Sequence, residues 1–449
     1  MTTIVGMRGF LASSIGVTCA AALALPLTLP AASHAVPAPA QASVPGSTQS
    51  LALAPPTATR AAGTPPEQGL PRRDVRPFSL VGVVWDDPNT ELHGQVQVRT
   101  RTTGTATWSA WQDLETHNDD APDLDSAEHT SGRLHGSTAP LWVGDSDGVE
   151  VRVHGDAPAA TRAATTDPLP KGLRLELVDP GAEPPPQSTP AEGPRATGLT
   201  PETAEASAVN ADLAPLGATA VTALSKKATE DELIEARGGD TSAAKARPYV
   251  GARPRIITRK GWGADEKLRE KKFGYTKTVK AAFVHHSATG NNYRCSQASS
   301  VIRSIYRYHV KSSGWRDIGY NFLVDKCGNI YEGRAGGITK AVMGAHTLGF
   351  NTNSMGIAVL GSFGSSNPPA AAVNAIAKLT AWKLGLYGAN PRGTTYLKSG
   401  GGNLYRKGKN VRLHVISGHR DGFATECPGR RLYNKLGKAR SSSAHLQGR

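Results

Sequence analysis

The sequence predicts an α/β C-terminal domain, a mixed central β-sheet flanked by helices, preceded by a small all-β, sandwich-like domain. Three observations predict it. Hydrophobic periodicity changes from two residues to a mixture of two and 3.6 near residue 250, Pro/Ala-rich stretches set the regions apart, and the charge changes sign between them. Residues 251–449 hold about 33 Lys and Arg against 8 Asp and Glu, a net near +25, while residues 1–250 sum to about −11. Such a split argues for separate domains with different partners. A strongly basic domain suits polyanions such as nucleic acid, anionic lipid or a bacterial wall.

Residues 1–35 read as a signal peptide. Arg8 precedes an apolar run from Phe10 to Leu29, and Ser33-His34-Ala35 offers small side chains at the −3 and −1 positions before Val36. Pro26 and Pro30 interrupt the run, which argues against a membrane anchor. The expectation is a secreted, wall-associated protein with no membrane attachment after cleavage. Residues 36–72, rich in Ala, Pro, Thr and Ser, read as a flexible spacer.

Residues 73–180 read as the β domain. Period-two stretches such as Gln95-Val96-Gln97-Val98-Arg99 and Leu173-Arg174-Leu175-Glu176-Leu177 alternate with turn residues. Trp85, Trp108, Trp111 and Trp142 could line a sugar platform, and core packing is the expected reading. Residues 181–250 return to Pro, Ala, Thr and Gly and read as linker, with a short helix around Glu230–Ala236.

In residues 251–449, Phe283-Val284 leads a buried strand. Val301, Ile302, Ile305 and Tyr308 recur at helical spacing. Tyr320–Val324 and Ile330–Glu332 flank Gly328-Asn329, a hairpin signal. Met355–Leu360 reads as an apolar strand, and Ala370–Leu386, after Pro368-Pro369, as an amphipathic helix.

Loss of the leader leaves Cys295, Cys327 and Cys427. An exported protein seldom leaves a thiol idle, so one disulfide plus one thiol with another task is expected. Cys295 and Cys327 flank a helix-plus-strand unit and can close one loop. Spacing alone also allows 295–427 and 327–427. A catalytic zinc needs three protein ligands and one open position. His285 or His286, with His419 and Cys427, could supply them. The plainer reading has one histidine in the core, one on the surface, and a cysteine that merely ends a strand before Pro428-Gly429.

Five stretches, in order, make the pattern specific. They are Trp262-Gly263-Ala264; Val284-His285-His286-Ser287-Ala288; Gly314-Trp315-Arg316-Asp317-Ile318-Gly319-Tyr320-Asn321-Phe322; Tyr331-Glu332-Gly333-Arg334 with Gly344-Ala345-His346; and His419 through Cys427. Residues 253–440 thereby resemble the peptidoglycan recognition protein and type-2 N-acetylmuramoyl-L-alanine amidase superfamily. The resemblance implies Zn2+ held by His285, His419 and Cys427, with His286 a neighbour. It implies catalytic roles for Tyr320, beside the reacting water, and Thr425, at the scissile carbonyl. A glutamate that some relatives carry in the strand matching Met355–Leu360 is missing here, which leaves the general base unassigned.

The resemblance further implies that Gly314, Trp315 and Arg334 admit diaminopimelate stem peptides, the guanidinium clamping the extra carboxylate. Alternatively Arg334 is a surface ion-pair residue. His346 and Asn351 match positions lining the peptide groove. His309 reads as structural and His414 as packing. The implied partner is peptidoglycan, through stem peptide and muramic acid. Anionic wall polymers would be a second partner for the basic surface. Export and the lack of any finger or helix-turn-helix pattern argue against nucleic acid. The chain is expected to be a monomer. Two other readings stand beside the amidase: a non-catalytic recognition module, and a different zinc hydrolase. Glycan cleavage would need two facing carboxylates, and the basic domain has few acids.

Overall fold

The computed structural model describes residues 45–56, 65–116, 120–156, 168–182, 199–238 and 248–449. The expected leader, 1–35, lies outside the described residues. Among those described, no helix is long and apolar enough to cross a membrane.

The N-terminal domain is one antiparallel sheet in the order β1-β7-β2-β6-β3-β4, with β5 paired to β2. Its strands are β1 (Ser47–Ala52), β2 (Glu67–Trp85), β3 (Gly94–Thr102), β4 (Gln112–Leu114), β5 (Gly136–Ser137), β6 (Leu141–Gly155) and β7 (Arg174–Asp179). Register shifts between Leu70 and Leu80 bend β2 along β6, and bulges of this kind let long strands curve around a core. Val81, Val83, Val96, Val98, Val151, Leu175 and Leu177 fill that core. The expected spacer, 36–72, therefore holds structure: β1 pairs with β7 from Ser47↔Asp179 to Ala52↔Arg174. Its Ser, Thr and Gln side chains suit a half-buried edge strand and read as spacer by composition. Trp85 and Trp142 are buried. Trp108 and Trp111 instead lie half-buried under Arg72, Arg99 and Arg152.

The second sheet is mixed, in the order β16-β10-β13-β11-β12-β9-β8. It contains β8 (Ala220–Val221), β9 (Ile256–Ile257), β10 (Ala281–His286), β11 (Phe322–Val324), β12 (Ile330–Glu332), β13 (Ser354–Val359) and β16 (Ile416–Gly418). β14 (Thr394–Lys398) and β15 (Asn410–His414) form a separate hairpin. The helices are α1 (Pro201–Ala208), α2 (Lys226–Ala236), α3 (Arg259–Trp262), α4 (Ala298–Arg307), α5 (Ala370–Leu386), α6 (Arg430–Tyr433) and α7 (Leu436–Gln447). One sheet face packs on α5 and α7 through residues such as Ile357, Val359, Ile376, Leu379, Leu436 and Ala439. The other packs on α3 and α4 through Leu323, Ala358, Trp262, Ile302 and Ile305. A mixed sheet covered on both faces by helices is the predicted C-terminal class.

Two further expectations change. The span read as linker contributes α1, α2 and β8 to the second domain, with Val221 and Leu233 in its core. The short helix expected around Glu230–Ala236 is the second half of α2, whereas α1 and β8 are too short to show periodicity. His414 faces solvent rather than packing, because only Leu397, Val411 and Leu413 of the hairpin are turned inward, toward Phe350.

The two domains share a seam. Leu80, Val84, Trp142 and Val178 of the β domain cluster with Ile302, Ile305 and Tyr308. The Tyr308 hydroxyl donates to the carbonyl of Thr138 at 3.1 Å, and the Ser312 hydroxyl donates to Glu176 at 2.9 Å. Gly82 leaves room for the Tyr308 ring, with which any Cβ there would collide. The acidic and basic halves, expected to serve different partners, face each other.

Candidate metal centre and peptide groove

β10 and β16 are parallel neighbours with Val284 opposite Gly418, so the residues that follow, His285 and His419, emerge side by side at the strands' C-terminal ends. Their rings lie 4.5 Å apart. A loop beyond His419 returns Cys427, whose Sγ is 3.7 Å from His285 Nδ1. One ligand atom from each of the three residues lies within 4.8 Å of the others, and all three residues are buried. Cys427 is free, and Cys295 is bonded to Cys327, which settles the pairing that spacing left open. His286, one residue on, is turned elsewhere: its Nε2 meets Glu115 at 3.2 Å and its Nδ1 accepts from Phe363 N.

A fourth side chain enters from the other domain. Asp120 Oδ1 lies 3.0 Å from His285 Nδ1 and 3.4 Å from His419 Nδ1. Asp120 Oδ2 accepts from the Tyr320 hydroxyl at 2.5 Å. Asp120 Oδ1 and both ring nitrogens of His419 are buried without a hydrogen-bond partner. Orphaned buried atoms of this kind require an explanation, and a zinc ion supplies one. Bonds of 2.0–2.3 Å to a tetrahedral zinc put neighbouring ligand atoms about 3.3–3.7 Å apart, close to the spacings found. Donor chemistry fits as well. Burial pushes His419 down to about 3, so its imidazole is neutral, the form that ligates. Burial, with the Asp120 and Glu115 carboxylates, pushes the Cys427 thiol up. A cation at this point reverses that effect and favours the thiolate. His285 Nε2 is oriented by the Thr347 hydroxyl at 3.3 Å, an outer contact of the kind that fixes ligand imidazoles.

Tyr320 is buried beside His285, ring centroids 5.6 Å apart, and burial together with Asp120 raises its pKa. Thr425 lies on the Cys427 loop, where its Oγ1 accepts from the Cys427 N–H at 3.2 Å. In β13 the residue opposite His285 is Ala358, so that strand brings no carboxylate to the centre.

The groove residues gather around the same point. His346 packs edge-on to His285 at 5.2 Å and fills space left by Gly344 and Gly356. Asn351 Oδ1 accepts from the backbone N–H of His346 and Thr347, which pins that turn. Gly314 has φ 77°, in the left-handed region, and Trp315 packs with Leu134 and Ala345. His309 is buried against Trp315, rings 4.2 Å apart, and its Nδ1 accepts from Gly319 N. Burial pushes it down to about 3, in keeping with a structural role.

Arg334 is in an ion pair, and a buried one rather than the surface pair considered from sequence. Its Nη1 and Nη2 donate to the two Glu128 oxygens at 2.8 and 3.0 Å. Sequence reasoning missed Asp120, Asp123 and Glu128 altogether. They lie in the 21 residues between β4 and β5, a length uncommon between sheet strands without a task, and that length was the signal available.

Two protein families match the chain. A family described as Rv3811 N-terminal galactose-binding domain-like matches residues 35–171. The N-acetylmuramoyl-L-alanine amidase family matches residues 275–430. Peptidoglycan-recognition protein SC2 of Drosophila melanogaster is 31% identical over 183 residues, 40% of this chain and 84% of that protein. Peptidoglycan-recognition protein SC1a of the same organism is 32% identical over 190 residues, 42% and 87% of the two chains. Among solved structures, peptidoglycan recognition protein-LE in complex with tracheal cytotoxin, a monomeric diaminopimelic acid-type peptidoglycan, is 32% identical. It covers 41% of this chain and 92% of that one, with a TM-score of 0.33. The identity and coverage of the recognition proteins show that this chain belongs to the peptidoglycan recognition protein and type-2 N-acetylmuramoyl-L-alanine amidase family.

Proposed function

We propose that the protein is a zinc-dependent N-acetylmuramoyl-L-alanine amidase, hydrolysing the amide between the lactyl group of N-acetylmuramic acid and L-alanine in diaminopimelate-type peptidoglycan. The observation that carries this reading is the convergence of His285, His419 and Cys427 on one buried point. His285, His419 and Cys427 would hold a zinc ion there, whose chemistry would be to activate a water near neutral pH and polarise the scissile carbonyl. Tyr320 keeps its proton at neutral pH, because burial raises its pKa, and can donate to the developing oxyanion. Thr425 steadies the Cys427 loop through the Cys427 amide and stands two residues from the thiolate, where its hydroxyl could serve the same oxygen.

Arg334 and Trp315 would receive the diaminopimelate end of the stem peptide, since a guanidinium grips a carboxylate through two parallel hydrogen bonds. The related recognition protein-LE, which is bound to a diaminopimelic acid-type muropeptide, supports that substrate class. His346 and Asn351 would form the groove wall. We further propose that the protein is exported and works at the cell wall. The signal-like sequence of residues 1–35 supports this, as does the Cys295–Cys327 disulfide, since such bonds persist in oxidising compartments.

The test is digestion of purified diaminopimelate-type peptidoglycan by the metal-loaded full chain, with and without a chelator. New L-alanine amino termini that disappear on chelation are expected. New reducing sugar ends would point to a glycan bond instead, and binding without release of either, in the variants opened as described next, to a recognition module.

A further inference from the structure

The groove proposed for the stem peptide is filled by the N-terminal domain. Three carboxylates of the β4–β5 loop each meet a different set of groove donors. Asp120 stands at the metal point beside His285 and His419 and accepts a hydrogen bond from the Tyr320 hydroxyl. Asp123 Oδ1 accepts from Gly349 N at 2.8 Å, Asn351 N at 3.3 Å and Asn351 Nδ2 at 2.8 Å. Glu128 holds both prongs of Arg334 and also accepts from Arg316 N at 2.9 Å. The same loop lays Leu134 on Trp315 and the Arg133 carbonyl over Gly314, where a Cβ would collide with it.

We infer that this loop is a built-in competitor for the stem peptide: Asp120 is a fourth metal ligand, and Asp123 and Glu128 occupy the places of substrate carboxylates. The inference rests on the amidase reading for the identity of the displaced ligand. Its geometry is that of a latent site. With Asp120 Oδ1 at ligand spacing from two imidazoles, the coordination position that a catalytic zinc keeps open for water is filled from within the chain. Arg334 cannot clamp a diaminopimelate carboxylate while both its prongs are on Glu128. The competing role for Asp120 is a general base supplied by the β domain, reached through the cavity of about 320 Å³ that Asp120 lines with Trp315 and Phe423. Asp123 and Glu128, on the same loop, favour the competitor role because they take the Asn351 and Arg334 donors. Activity therefore requires the loop to leave, and a ligand rich in carboxylates competes for the donors that hold it.

The experiment uses the full chain loaded with Co2+, as wild type, Asp120→Ala, Asp120→Asn and the double variant Asp123→Asn/Glu128→Gln. Azide is added while the visible cobalt bands are followed, and binding of a monomeric diaminopimelate muropeptide is measured by calorimetry. The expected result is an unchanged wild-type spectrum with azide and shifted bands in Asp120→Ala. Muropeptide binding should tighten by about tenfold or more in the double variant, because two of the three carboxylates that hold the loop in the site are neutralised and less is spent on vacating it. Zinc-loaded Asp120→Ala should release L-alanine termini faster than wild type. Asp120→Asn keeps the side chain's shape, so a folding defect in the alanine variant leaves the azide comparison intact. Equal azide shifts in wild type and both Asp120 variants, with equal muropeptide binding throughout, would overturn the inference. So would loss in Asp120→Ala of a cleavage that wild type shows while metal is retained, since that identifies a base. If azide access and muropeptide binding change as expected but no variant cleaves, the competitor loop stands and the amidase reading fails.

Discussion

Glu128 and Arg334, 206 positions apart, meet in a two-pronged ion pair in which both side chains are nearly inaccessible to water. Burial alone would raise the Glu128 pKa, but Arg334 and the Arg316 N–H more than offset it and hold the carboxyl below its ordinary value. Breaking a buried pair from one side leaves an uncompensated charge. Arg334→Ala is therefore expected to cost about 3–5 kcal/mol of stability, and Arg334→Ala/Glu128→Ala distinctly less. Urea unfolding of the two variants checks this; equal losses would mean that the pair is not buried in solution.

Cys427→Ser should reduce bound zinc to well under half of the wild-type content at equal total metal, because an alcohol does not ionise as a thiol does. Far-UV circular dichroism should be preserved. Metal analysis after gel filtration reads the outcome, and full zinc retention would remove Cys427 from the ligand set.

Glu332 carries a pH signature separable from the metal centre. It is buried, accepts from Asn210 Nδ2 and Arg259 N, and burial pushes its pKa up to about 7 from 4.5. Between those values the folded chain keeps a proton that the unfolded chain has lost. Its contribution to stability is thus complete below pH 4.5 and declines as pH rises toward 7, by on the order of 3 kcal/mol. Denaturation at pH 5 and pH 7.5 should show Glu332→Gln less pH-dependent than wild type by that amount.

The Cys295–Cys327 bond closes a loop with a sequence separation of 32. Loop-closure entropy places its worth at about 3–4 kcal/mol. The double variant Cys295→Ala/Cys327→Ala should melt at lower temperature yet bind zinc as wild type does, because Cys427 takes no part in the bridge. Loss of zinc in that variant would show that the remaining thiol depends on the bridge for its place.

Much of the centre was legible because its chemistry is carried by rare residue types. His285, His419 and Cys427 stood out as potential ligands, although the residues alone left His285 and His286 as alternatives and only the family resemblance chose between them. Helix α5 announced itself through Pro368-Pro369 and a long apolar stretch. What escaped had no local signature. Asp120 reaches Tyr320 across 200 positions, and an aspartate in a polar loop reads as solvated until the opposing surface is known. β1 and β8 escaped for a related reason: short edge strands draw their stability from a partner and show little pattern of their own. His414 misled because alternation does not reveal which face of a hairpin is covered.

Tyr308 sits under Gly82 with its hydroxyl on the Thr138 carbonyl, within a cluster to which both domains contribute. Pulling the halves apart would expose that cluster to water. If the tongue leaves the groove as inferred, the hinge-side surfaces are therefore expected to stay glued while the Glu128–Arg334 and Leu134–Trp315 contacts open. For the same reason, a fragment beginning at residue 251 would carry a bare greasy wall and should be expressed together with its neighbour.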